Sequence, residues 1–164
     1  MKWAGLDVGR HHDRTALIVL DELTICDALL IQGLPFDRQR VALDDRLWLH
    51  KPRLVAVDVT GIGTGMADLL DLSGWRIHRA NIGSGDAAHL ELFAGLRQAL
   101  ADPAFHVKQS LPHKAELLAE LKALAGTYTP SGRVHVAASS GHDDLGFALA
   151  LAVLARTRGL KSSG

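Results

Sequence analysis

Four aspartates, Asp7, Asp58 and the adjacent pair Asp143 and Asp144, each stand where an apolar segment meets a turn or a helix start. Asp7 follows Trp3-Ala4-Gly5-Leu6 and precedes Val8-Gly9, Asp58 closes Leu54-Val55-Ala56-Val57, and Asp143 and Asp144 open a long apolar stretch. An ionised carboxylate on a buried element is costly unless it is paired or metal-bound. Mg²⁺ and Mn²⁺ take oxygen ligands in octahedral geometry, so a meeting of these acids suits divalent ions. Two such ions about 3.5 to 4 Å apart activate water on one side of a phosphorus and stabilise the leaving oxygen on the other. Metal-assisted phosphodiester cleavage is therefore the chemistry expected. Each acid also has a plainer explanation: Asp143 and Asp144 as helix-start residues, Asp7 as a turn residue before Gly9, and Asp58 as an Asx turn ahead of Gly61. One shared site accounts for all of them together.

Other motifs support less. Gly61-Ile62-Gly63-Thr64-Gly65 has the look of a phosphate loop, but no Gly-Lys-Ser/Thr follows and G-x-G-x-x-G is absent, which leaves a tight strand-to-helix turn. His11-His12-Asp13 lacks the spacing of a tetrahedral zinc cluster and reads as a loop that could meet phosphate. His142 borders the acid pair and could bond a phosphate or cap the helix. Arg10, Arg14, Arg79, Lys108 and Lys114 are scattered cations that could rim a DNA groove, with ordinary solvated surface as the alternative for each. The lone cysteine, Cys26, lies in an apolar run and reads as a small buried hydrophobe.

The elements that must position the acids are legible as patterns. Apolar runs at 2–8, 15–20 and 23–31, the last two separated by Asp21-Glu22, predict antiparallel strands. Val41, Leu43, Leu47 and Trp48 among charged residues predict an amphipathic helix over 37–50, ended by Lys51-Pro52. The continuous β-branched run 53–59 predicts a central strand covered on both faces, followed by a helix over 66–72 and a strand over 75–82. Helices are expected at 87–101 and 112–125 with a short strand at 105–108 between them, then a hairpin at 126–138 and a buried helix at 142–158. Three antiparallel strands, then parallel strands with helices on both faces, make an α/β architecture around one mixed sheet.

The 164 residues favour one domain, at 1–159, with 160–164 as a disordered tail. Lys and Arg total 18, as do Asp and Glu, so the net charge is zero; a DNA binder working by counterion release would carry a basic excess. Any DNA contact must then come from a local basic rim, or binding by the isolated domain is weak. No signal segment or membrane span is legible, so a cytoplasmic protein without membrane contact is expected.

Taken in order, Gly5-Leu6-Asp7-Val8-Gly9 with Asp13-Arg14-Thr15-Ala16, then Val57-Asp58-Val59-Thr60-Gly61-Ile62-Gly63, then Gly141-His142-Asp143-Asp144 leading into 148–152, resemble the nuclease domain of the large terminase subunit of tailed bacteriophages. Residues 91–100 and 116–121 resemble that family's middle region. The resemblance implies an RNase H-like fold and an endonuclease that uses two Mg²⁺ or Mn²⁺ ions to cut double-stranded viral DNA concatemers during packaging in the host cytoplasm. It implies Asp7 and Asp58 as the first two metal ligands and one of the Asp143/Asp144 pair as the third, with Asp144 favoured as the direct ligand and Asp143 assisting. Its implied partners are a packaging ATPase domain, a portal and a small subunit. Arg10, His11, His12, Arg14, Lys108, Lys114 and His142 are the candidate DNA contacts. A junction-resolvase-like or transposase-like nuclease, or a non-catalytic binding module of the same fold, are the competing readings.

Overall fold

The computed structural model describes residues 1–9, 13–83, 86–125 and 143–162. The first three apolar runs form β1 (Lys2–Asp7), β2 (Thr15–Asp21) and β3 (Thr24–Ile31), an antiparallel meander. They are followed by α1 (Phe36–His50), β4 (Val55–Asp58), α2 (Gly63–Leu72), β5 (Ile77–Ala80) and α3 (Asp86–Leu100). The chain continues with β6 (His106–Val107), α4 (Lys114–Ala125) and α5 (Asp144–Lys161). The sheet order is β5-β4-β1-β2-β3-β6, with β4 parallel to β1, β5 parallel to β4 and β6 parallel to β3.

Strand alternation sorts the two layers. Ala4 and Leu6 of β1, with Val55 and Val57 of β4, face a core completed by Leu43 and Leu47 of α1 and Met66, Ala67 and Leu70 of α2. Trp3 of β1 and Ala56 of β4 face the other way, into a core built with α3, α4 and α5. Burying a Leu or Val fully is worth roughly 1.5–3 kcal/mol, so slipping either strand by one residue, which would exchange all of these faces, is strongly disfavoured.

α5 lies directly on the sheet. Leu145, Ala148, Leu149, Leu151, Ala152 and Ala155 are all fully buried, and a Cβ on Gly5 would sit 2.0 Å from the Ala148 carbonyl oxygen and 2.2 Å from the Ala152 nitrogen. At the other end of β1 the Trp3 ring lies against Gly159, where a Cβ would come within 2.1 Å of the indole. The helix therefore runs opposite to β1, and its first turn sits over the end of the strand that carries Asp7.

Several expectations change in detail. Val41 and Trp48 of α1 point outward, 42% and 59% exposed, because the inward stripe is taken by Gln39, Leu43 and Leu47. α2 begins at Gly63, not 66, so the glycine-rich turn is shorter than expected. α4 starts at Lys114, two residues past Pro112, because His113 takes a positive φ of 55° that a helix cannot hold. α5 continues through Lys161, so the expected tail at 160–164 loses its first two residues to the helix. The expected hairpin at 126–138 lies outside the described residues. Among the described residues no helix is long and apolar enough to cross a membrane.

Candidate active site

Asp7 follows Leu6 on β1 and Asp58 follows Val57 on β4, and Leu6 and Val57 are register partners of a parallel pair. Alternation turns both acids onto the α5 face, at the C-terminal ends of strands about 4.8 Å apart. The N-terminal turn of α5 completes the arrangement. Asp7, Asp58 and Asp143 line a single cavity of about 250 Å³, together with His89 and Phe93 of α3 and Phe147 of α5. The two helices contribute matching pairs one turn apart, His89 with Phe93 and Asp143 with Phe147, so side chains four residues apart on each helix face the same space.

The negative charge gathered here is dense. The Asp7 carboxyl is pushed up from 3.8 to about 8, first by burial and then by the charges of Asp144, Asp143, Asp58 and Glu120. Asp58 is held by the main-chain N–H of Thr60 at 3.0 Å, by the Thr60 hydroxyl, and more distantly by the N–H of Ile82 at 3.4 Å. All three donors approach Oδ1, and Oδ2 accepts no hydrogen bond among the described residues. The Asx turn and the Ile82 N–H thus engage one oxygen of the carboxylate. Asp143 occupies the N-cap position of α5, where its carbonyl accepts the Phe147 N–H at 2.8 Å but its side chain makes no capping hydrogen bond. Helix capping does not explain that carboxylate.

Asp144 is differently engaged. Arg14, whose side chain is only 10% exposed, donates from Nε to Asp144 Oδ2 at 2.9 Å, from Nη1 to Glu116, and from Nη2 to Glu120 Oε1 at 3.3 Å. Glu120 also accepts the Gly146 N–H at 2.8 Å. Its carboxyl is raised to about 7, by burial first, with the Gly146 N–H and Arg14 opposing and Asp144 and Glu116 adding to the rise. One guanidinium therefore ties α4 to the first turn of α5. The sequence favoured Asp144 over Asp143 at the centre; the structure puts Asp143 on the cavity wall and fastens Asp144 to Arg14.

The other candidate residues separate clearly. Arg14 is no solvent-facing DNA contact, because three carboxylates enclose it. Lys108 follows β6, which pairs with the start of β3 at the far end of the sheet from Asp7. Lys114 opens α4 and donates to Gln109 at 3.0 Å. Arg79 pairs with Asp68 and Asp71. Arg10, His11, His12 and His142 lie outside the described residues. His89, Glu116 and Glu120 escaped the sequence reading, since a lone histidine or glutamate on an amphipathic helix carries no periodic signal. Phe93 and Phe147 were legible only as apolar helix positions.

Among the described residues no three His, Cys, Asp or Glu side chains are drawn into a closed metal-holding cluster; the acids ring an open basin. A larger groove of about 540 Å³ runs between β5, α3 and α5, but Glu91 is the single acid lining it, so it lacks the charge for cation chemistry.

No protein-family model and no curated protein matches the sequence. Solved structures do match the fold. The large terminase nuclease of thermophilic phage G20c with bound magnesium superposes with a TM-score of 0.75 at 25% identity, covering 94% of this chain and 80% of that one. The large terminase nuclease domain of Thermus phage P74-26 gives a TM-score of 0.72 at 24% identity over 93% of this chain and 77% of that one. A mutant nuclease domain of the large terminase subunit gp2 of bacterial virus Sf6, with manganese and beta-thujaplicinol, gives 0.71 at 12% identity over 93% and 87%. The chain has an RNase H-like fold, in the form taken by phage large terminase nuclease domains.

Proposed function

We propose that this chain is a metal-dependent endonuclease domain that cuts double-stranded DNA, and that it serves as the nuclease part of a large terminase acting on viral concatemers during genome packaging. The observation that carries this reading is the convergence of Asp7, Asp58 and Asp143 on one cavity, where burial and then the neighbouring negative charges lift Asp7 to about 8. An all-oxygen donor set fits hard cations, and Mg²⁺ or Mn²⁺ most naturally. Magnesium in the G20c structure and manganese in the Sf6 structure support that choice.

Asp7, with Asp58 beside it on β4 and Asp143 above it, would hold the ions. Asp144, fixed by Arg14, anchors the helix start and adds to the attraction for cations. When bound, the ions supply activation of water and neutralisation of charge on the leaving oxygen. The chain's own contribution is preorganisation: Thr60 and the Ile82 N–H fix the Asp58 carboxylate, and Phe93 and Phe147 wall the cavity on the helical side. Because the chain is neutral overall, most of the grip on a duplex would come from partners, which the terminase resemblance supplies as an ATPase domain, a portal and a small subunit.

The test is Mn²⁺-dependent nicking of supercoiled plasmid by the purified protein, compared with the Asp7→Asn variant. Cleavage that needs Mn²⁺, stops with EDTA and vanishes in the variant is expected. Cleavage that survives Asp7→Asn unchanged would remove the assignment.

A further inference from the structure

A phosphodiester presents only hydrogen-bond acceptors to the site that receives it. The walls of the acid cavity are three aspartates, two phenylalanines and His89. With cations bound the three carboxylates are ionised, and an ionised carboxylate accepts and does not donate, while a phenyl ring has nothing to donate. Among the described residues lining this cavity, His89 is then the one side chain able to offer a donor to phosphate in the cation-loaded site.

Its setting is built. His89 lies on the first turns of α3, half-buried, with its ring tilted at 51° to Phe147 and the centroids 5.9 Å apart. Phe147 in turn packs on Phe93 at 6.0 Å. Phe93 lies four residues past His89 and Phe147 four past Asp143, so the contact of Phe147 with the imidazole and with Phe93 brings α3 and the start of α5 together around the cavity. An imidazole has two distinct ring nitrogens, so it can touch the protein with one and present the other to a ligand.

We propose that His89 is the substrate-contacting donor of this site, placing an imidazole N–H on a non-bridging oxygen of the scissile phosphate. The proposal rests on the metal-nuclease reading above. It assigns α3 a role in binding DNA at the reacting bond, and it gives the site a protein-borne donor in addition to the cations. A neutral imidazole serves in the tautomer that carries its one N–H on the nitrogen turned to the phosphate.

The test compares wild type, His89→Ala, His89→Gln, His89→Asn and Asp7→Asn in three measurements: Mn²⁺ binding by calorimetry, binding of a short fluorescent duplex with Ca²⁺ replacing Mn²⁺, and steady-state cleavage with Mn²⁺. A hydrogen bond to a charged phosphate predicts that His89→Ala weakens duplex binding or kcat/KM by about 10- to 100-fold. Mn²⁺ affinity should stay within about twofold. His89→Gln or His89→Asn, which keep an N–H donor near one ring nitrogen, should recover much of the loss, and thermal unfolding confirms that each variant is folded. Wild-type behaviour of His89→Ala beside an inactive Asp7→Asn overturns the His89 assignment and leaves the nuclease reading standing. Loss of Mn²⁺ binding in His89→Ala overturns it differently, by making the imidazole a metal ligand. If wild type neither binds Mn²⁺ nor cleaves, the nuclease reading fails and the His89 role falls with it.

Discussion

Replacing Asp7 by Asn should make the cation-free protein more stable while removing its response to divalent ions. In the fold this carboxyl holds its proton up to about pH 8, against 3.8 ordinarily, because it is buried and faces Asp144, Asp143, Asp58 and Glu120. Between those limits the folded state binds more protons than the unfolded chain, so stability falls as pH rises through the window and levels off above it. Each pH unit is worth about 1.4 kcal/mol, giving an upper bound of about 6 kcal/mol across the window. Neighbouring acids take up part of the proton binding, and the new amide must find partners in a site shaped for a carboxylate. A net gain of about 2 kcal/mol for Asp7→Asn is expected above pH 8. For a domain of this size that raises the unfolding temperature by about 4–8 °C in EDTA at about pH 9. At about pH 5 wild-type Asp7 is protonated in the fold, and the gap should shrink to roughly 1–2 °C. Excess Mn²⁺ should stabilise wild type by mass action, about 2.7 kcal/mol at 100 times the dissociation constant, and leave the variant unmoved. Differential scanning fluorimetry across pH, with and without Mn²⁺, reads all of this. A variant less stable than wild type in EDTA at high pH, or a gap independent of pH, would refute the claim that Asp7 is buried among negative charges.

Other outcomes follow from the same contacts. Arg14→Ala should cost about 3 kcal/mol near pH 8, since it strands the buried Glu120 and Asp144 without their counter-charge. In chemical denaturation that loss should be smaller near pH 5, where Glu120, raised to about 7, is protonated in the fold. Gly5→Ala should destabilise by about 3 kcal/mol or more, because its Cβ would meet the α5 backbone at 2.0 Å. It should also weaken Mn²⁺ binding, as the start of α5 is pushed away from Asp7. Trp3→Phe should change stability by less than about 1 kcal/mol: the indole N–H is buried without a partner among the described residues, and removing it offsets the small cavity left behind.

Much of the frame was legible because it rests on local pattern. The near-continuous run before Asp58 marked a strand covered on both faces, the two-residue gap at Asp21-Glu22 marked an antiparallel neighbour, and the nearly all-apolar stretch after Asp144 marked a buried helix. Those elements, ended where acids stand, were enough to predict that Asp7, Asp58 and the 143–144 pair meet. Which member of that pair faces the cavity was not legible, because it depends on the rotation of α5 about its axis. That rotation is set by Gly5 under Ala148 and Ala152 and by Arg14 reaching Asp144 from 130 residues away in sequence. Arg14 itself looked like a surface cation, since nothing nearby in the chain announces Glu116 or Glu120. His89 was invisible for the same reason: its meaning comes from the packing of α3 on α5. The outward turn of Val41 and Trp48 shows the limit of reading a helix face when apolar residues occur all round it.

Crystals soaked in Mn²⁺ and measured at the manganese absorption edge test the central claim most directly. Anomalous density inside the cavity, within coordination distance of Asp7, Asp58 and Asp143, is the predicted result. A well-ordered site that stays without manganese, or manganese bound only around Glu116, Glu120 and Asp144, would contradict it.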